Sequence, residues 1–280
     1  MTKYFVYDVF TEAPFGGNPL AVIPDATTLA EDQLQKIARE FNFSETIFVY
    51  PPNEAQHTAK VRIFTPTMEI PFAGHPVVGT AIALADEGAQ GDLTLELGIG
   101  PVACKINGRH AEFVTTAALE LQAEPDPALV AAALGTRTDN IVFATHPPVM
   151  ASLGLPFTIT QLKSREVLAN LTTDIAAFRE GNAKHPSGLD FAQFAYVRDG
   201  NHVDARMFAP LDNIPEDPAT GSACATLGAL LHRIEGAPVS LSIVQGEDMG
   251  RRSEISVRAD SAGVAVAGSA VRVMSGNLTL

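Results

Sequence analysis

The chain has 280 residues, 46% of them hydrophobic, enough to bury one large core or two medium ones, with two lobes favoured by its length. Its 32 acidic and 19 basic side chains give a net charge of −13, which sets it against nucleic acid and anionic membranes as partners. Only Cys104 and Cys224 are present, no apolar run approaches the roughly 18 residues needed to span a bilayer, and the opening MTKYFVYDVF carries Lys3 and Asp8 where a signal peptide is uncharged. A cytoplasmic protein in a reducing compartment is expected, without a disulfide framework, a zinc site or any other metal.

In chain order, KYFVYDVF, ETIFVY and AKVRIF are rich in β-branched and aromatic residues and read as strands. Between the first two, Leu34, Ile37, Ala38 and Phe41 fall at helical spacing, with Thr28 and Glu31 as a capping box at the start. Residues 92–114 hold two alternating runs turned at Asn107-Gly108, and a helix over 126–134 is stopped by Gly135. From Asn140 the pattern starts over: strands NIVFA and PFTITQL, a helix near 164–170, strands FAQFAYV and HVDARMF, and a tail, VAVAGSAVRVM, that reads as paired strands. The boundary is placed near 119–127, giving lobes over 1–118 and 119–280, with the last strand free to return to the amino-terminal lobe.

A small pattern occurs twice. HPVVGTA at 75–81 follows Arg62-Ile63-Phe64-Thr65-Pro66, and DPATGSA at 217–223 follows Arg206-Met207-Phe208-Ala209-Pro210. In each copy a proline follows the heading residue, as at the first position of a helix, so His75 and Asp217 are candidate N-caps. The sequels, 76–85 and 218–231, contain no Asp, Glu, Lys or Arg, and a helix apolar on all sides is a buried one. The expected fold class is therefore α+β: two pseudo-symmetric lobes, each a rolled, barrel-like sheet around a central buried helix, with the two helix N-termini facing a cleft that suits a carboxylate ligand. Asp126-Pro127 and His185-Pro186 imitate the heading pair but lack the sequel. The first reads as a helix start only and the KHPSG segment as a loop.

The segments VFTEAPFGGNPLAVI, FNFSETIFV, RIFTPTMEIPFAGHPVVGTA and RMFAPLDNIPEDPATGSACATLGALL resemble the phenazine-biosynthesis isomerase (PhzF-like) family, which shares its fold with diaminopimelate epimerase and proline racemase. The resemblance runs through the whole chain and implies a homodimer of two-lobed subunits. It implies that Glu45, in Ser44-Glu45-Thr46, is the acid/base group, with His75 and Asp217 as its partners, and that Gly74, Gly221 and Ser222 contact the substrate carboxylate. Asn18, in the turn FGGNP, is placed close to the cleft. Racemases of this fold carry a cysteine at each helix mouth, positions matched here to His75 and Asp217. Cys224 is seven residues past Asp217 and reads as core.

The expected activity is a cofactor-independent isomerisation similar to that of trans-2,3-dihydro-3-hydroxyanthranilate, Glu45 removing a proton from one ring carbon and returning it to another on the same face. His75 is expected neutral and bonded to the substrate, and Asp217 anionic and bonded to its amine. No Rossmann, P-loop or metal signature appears. The competing readings are an amino-acid epimerase or racemase and a ligand-binding protein without activity.

Overall fold

A computed structural model describes residues 1–187 and 190–280 of the chain, which divides into two compact units, Met1–Thr115 with Ala265–Leu280, and Thr116–Val264. The first unit is built from a closed eight-stranded barrel. Strand β1 (Thr2–Val9) is antiparallel to β2 (Asn18–Ile23), β2 parallel to β3 (Glu45–Tyr50), and β3 antiparallel to β4 (Ala59–Phe64). Strand β4 pairs with the short β5 (Glu69–Ile70) and, nearer its start, runs parallel to β6 (Leu93–Leu97). From β6 the sheet continues antiparallel through β7 (Gly100–Asn107) and β8 (His110–Thr115), and the last strand of the chain, Gly263–Leu278, pairs with β8 and β1 to close it.

Two helices belong to this unit. Helix α1 (Glu31–Phe41) lies on the barrel's outside, where Leu34, Ile37 and Ala38 pack with Ile23, Phe48 and Phe64. Helix α2 (Gly74–Asp86) occupies the middle: its residues from Gly74 to Ala83 are all buried, and it touches β1, β2, β3, β6, β7 and β8. Gly79 permits this fit, because a Cβ there would stand 2.5 Å from Leu20 Cδ2 and 2.7 Å from Val9 Cγ2.

The second unit repeats the plan. Strands β9 (Glu120–Ala123), β10 (Val149–Ser152) and β11 (Pro156–Gln161) pair antiparallel in turn, β11 is parallel to β12 (Gln193–Asp199), and β12 antiparallel to β13 (His202–Ala209). Strand β13 pairs with the short β14 (Ile214–Asp217) and runs parallel to β15 (Val239–Gln245), which is antiparallel to β16 (Ser253–Asp260). The series β10 to β16 thus has the pairings of β1 to β7, strand for strand. Helices α3 (Pro127–Ala133), α4 (Arg165–Ala169) and α5 (Ile175–Lys184) contribute to one apolar cluster with Phe191 and Phe208, while α6 (Gly221–Glu235), buried over most of its length, packs on β10, β11, β15 and β16.

One clamp recurs in both units. Arg62 on β4 forms two hydrogen bonds to Glu69 on β5, at 2.7 and 2.6 Å, with its guanidinium over Phe64. Arg206 on β13 does the same to Glu216 on β14, at 2.8 and 2.7 Å, over Phe208.

Several expectations are corrected. Helix α1 is capped at Ala30, whose amide donates to Gln33 Oε1, instead of at Thr28. NIVFA forms a single bridge, Ile141 to Leu162, after a 3-10 turn at Thr138–Asn140, and the strand it stood for is β10. The tail is one long strand, Gly263–Leu278 (β17), in place of paired strands, and from Ala265 it belongs to the first unit. The KHPSG loop includes Gly188, which lies outside the described residues; His185 is the C-cap of α5 and stacks on Phe191. Among the described residues no helix is long and apolar enough to cross a membrane.

Candidate active site

In the first unit the parallel pairing of β2 with β3, with Leu20 opposite Glu45, puts Asn18 and Glu45 at the same end of the barrel. Asn18 is fully buried. The amino end of α2 reaches the same place, and Glu45 Oε2 lies 3.4 Å from His75 Nδ1. His75 is 3% exposed, its Nε2 has no partner among the described residues, and burial lowers its pKa from 6.5 to about 3. At neutral pH the imidazole is therefore uncharged. The expected cause was the helix dipole; the cause here is desolvation.

In the second unit Asp217 ends β14 and Pro218, Ala219 and Thr220 lead into α6. The Asp217 side chain is 5% exposed and its Oδ2 accepts a 2.5 Å hydrogen bond from Thr220 Oγ1. Gln245, at the end of β15, donates to the carbonyl oxygen of Asp217 at 2.8 Å and to Thr220 Oγ1 at 2.9 Å, and accepts from the amide of Thr220 at 3.1 Å. Gly221 and Ser222 form the start of α6, as Gly74 and His75 form the start of α2.

Neither heading residue is an N-cap. Those positions are Ala73 and Thr220, so His75 is the second residue of its helix and Asp217 sits on a strand before its own. The two heptads are thus out of register. Strand pairing joins Ile63 to Ile70 and Met207 to Asp217, and since Ile63 and Met207 correspond, so do Ile70 and Asp217, and Gly74-His75 and Gly221-Ser222. The residues at the helix mouths, where racemases were expected to carry cysteine, are accordingly Ala73 and Thr220. Cys224 is buried on α6 and its thiol is pushed up by desolvation, in keeping with a core residue.

Sequence reasoning passed over Thr220 and Gln245. Thr220 stands inside the heptad that drew attention to Asp217, whereas Gln245 is 28 residues from Asp217 with no local signal.

A family model described as phenazine biosynthesis-like protein matches residues 7–276. An uncharacterized isomerase of Mesorhizobium japonicum is 41% identical, the match covering 99% of this chain and 98% of the other. The trans-2,3-dihydro-3-hydroxyanthranilate isomerase of Pseudomonas aeruginosa is 36% identical, over 99% of this chain and 96% of its own. The crystal structure of a PhzF-family phenazine biosynthesis protein of Bacillus anthracis superposes with a TM-score of 0.87 at 25% identity, covering 100% of this chain and 99% of that one.

Proposed function

The chain belongs to the phenazine biosynthesis-like family and is an isomerase of the PhzF type, and on that premise we propose that it moves a proton between two carbons of a small carboxylate, similar to trans-2,3-dihydro-3-hydroxyanthranilate, with Glu45 as the acid/base. The observation that carries this reading is Glu45 Oε2 at 3.4 Å from the imidazole of a buried His75 whose pKa is about 3. A charged imidazole at that distance would form an ion pair with the carboxylate and weaken it as a base. A neutral one leaves Glu45 basic and can itself hydrogen-bond the substrate's hydroxyl or amino group.

In this reading Glu45 takes a proton from one ring carbon, the electron pair shifts through the diene, and the protonated carboxyl returns the same proton to a second carbon on that face. Asp217 holds the substrate amine as an anion. First-turn amides at Gly74 and His75 in the first unit, and at Gly221 and Ser222 in the second, are each suited to a carboxylate of the substrate, since helix N-termini favour negative charge. No step requires a cofactor. Racemisation by two thiols has no support in the chain, because Ala73 and Thr220 stand at the helix mouths.

The test is incubation with trans-2,3-dihydro-3-hydroxyanthranilate in D2O, following the ring protons by NMR for wild type and Glu45→Gln. Expected are substrate loss with little deuterium incorporation for wild type, and for the variant retained binding without turnover. Wild-type turnover by Glu45→Gln would remove Glu45 from the mechanism.

A further inference from the structure

We propose that Thr220 and Gln245 are positioning residues that fix the Asp217 carboxyl in one orientation with Oδ2 as a hydrogen-bond acceptor; what Asp217 then does to the substrate rests on the reading above. The carbonyl oxygen of Asp217 can only accept and the amide of Thr220 can only donate. The carboxamide of Gln245, which contacts both, therefore has one orientation, Nε2 toward Asp217 O and Oε1 toward Thr220 N. Its second amide hydrogen goes to Thr220 Oγ1 at 2.9 Å. With that donor on its oxygen, the threonine hydroxyl directs its own proton to Asp217 Oδ2 at 2.5 Å. A proton on that carboxylate oxygen would leave the hydroxyl hydrogen without an acceptor in the network, since Gln245 Nε2 offers no lone pair. The chain of donors thus ends on Oδ2 and commits that oxygen to accepting.

The network is dry and rigidly mounted. Asp217 is 5% exposed, Thr220 7% and Gln245 0%. Gln245 is paired on both sides, with Ala205 of β13 and Ser253 of β16, and Ser253 Oγ donates to the carbonyl of Pro218 at 2.8 Å.

The other unit carries an apolar counterpart of this turn on a differently shaped backbone: the residue before α2 has φ −154° and ψ 143°, that before α6 has φ −115° and ψ 81°, and Gly246 has φ +74°. There Gly98 lies against Pro71, where a Cβ would meet Pro71 Cα at 2.8 Å, as a Cβ on Gly246 would meet Pro218 O at 2.6 Å. By this correspondence, and by the strand register, the counterparts of Asp217, Thr220 and Gln245 are Ile70, Ala73 and Leu97. One turn is therefore built twice, once with three apolar residues and once with three polar ones that bond to each other. A trio that is polar only where a carboxylate stands serves that carboxylate.

Thr220→Ala is expected to fold and to lose about 10- to 100-fold in kcat/KM, the range for a hydrogen bond to a charged group, whereas Gln245→Leu, which leaves the Asp217 carbonyl and the Thr220 amide buried without this partner, is expected to lower the melting temperature as well. Thr220→Ser, which keeps the hydroxyl, should stay within about threefold of wild type. In an Asp217→Asn background, Thr220→Ala should cost less than about threefold, because the residue it acts through is already altered. Crystal structures give a readout independent of substrate: Asp217 leaves its rotamer in Thr220→Ala and keeps it in Thr220→Ser. Additive losses in the double variant, or an unmoved Asp217 in Thr220→Ala, would overturn the proposal. An inactive wild type with Asp217 displaced in Thr220→Ala would instead reject the assigned reaction and leave the positioning role standing.

Discussion

The neutrality of His75 can be tested through folding stability. In the unfolded chain an imidazole titrates near 6.5, whereas burial holds this one near about 3. Between those values the unfolded state binds a proton that the folded state refuses, so the folded state is at full strength above 6.5 and loses stability as pH falls toward 3. Integrated from pH 7 to pH 5, the loss from this one group is about 2 kcal/mol, and it is the same for any folded value below about 4. The perturbation is His75→Asn, which removes the titration. Urea unfolding at pH 7 and at pH 5 should show wild type losing about 2 kcal/mol more than the variant. A difference below about 0.5 kcal/mol would mean that His75 is protonated in the folded protein and paired with Glu45 as an ion, and the account of Glu45 as the available base would fail.

The repeated arginine clamp should be unequal in strength. Arg206, 8% exposed, also donates to the carbonyls of Leu168, Ala169 and Leu171, so Arg206→Leu should cost about 3–5 kcal/mol in chemical denaturation. Arg62 pairs instead with Glu31 and Glu69, whose side chains are 75% and 43% exposed, and Arg62→Leu should cost about 1 kcal/mol or less. Burial raises the Cys104 thiol to about 12 and pushes the Cys224 thiol up as well, so neither should react with iodoacetamide at pH 7.5 until the chain is unfolded; rapid labelling of folded protein would contradict the buried placement.

The sequence was most legible where chemistry and geometry coincide locally. Uncharged runs of 10 residues or more marked both buried helices, and Arg-x-Phe before each run marked the strand that precedes it. Of the strands that went unread, β9 and β14 are short, β16 alternates with charge on its exposed face, and β15 alternates with serine. Register was the larger loss. His75-Pro76 and Asp217-Pro218 look alike because proline suits both a first helical turn and the residue after a strand, and the eye aligned them. Strand pairing, which a sequence does not display, puts them five residues apart in the repeat. The same blindness hid Gln245, which reaches Asp217 only once β13 and β15 are side by side.

That register bears on the reaction. Had the heptads been equivalent, two matched groups would stand at matched positions, as suits removal of a proton from one face of a carbon and delivery to the other. The units instead place unlike chemistry on one frame. In the first, a histidine on the second residue of the helix lies beside Glu45, and the turn before it is apolar. In the second, serine takes the histidine's place, and the turn carries a carboxylate committed by Thr220 and Gln245 to accepting hydrogen bonds. The Oδ2 of that carboxyl, committed to accepting, cannot itself take up a proton without breaking the network that holds it. The asymmetry accompanies three differences at one duplicated turn, Ile70, Ala73 and Leu97 against Asp217, Thr220 and Gln245, together with a change of backbone, since the residue before α6 has φ −115° and ψ 81° where that before α2 has φ −154° and ψ 143°.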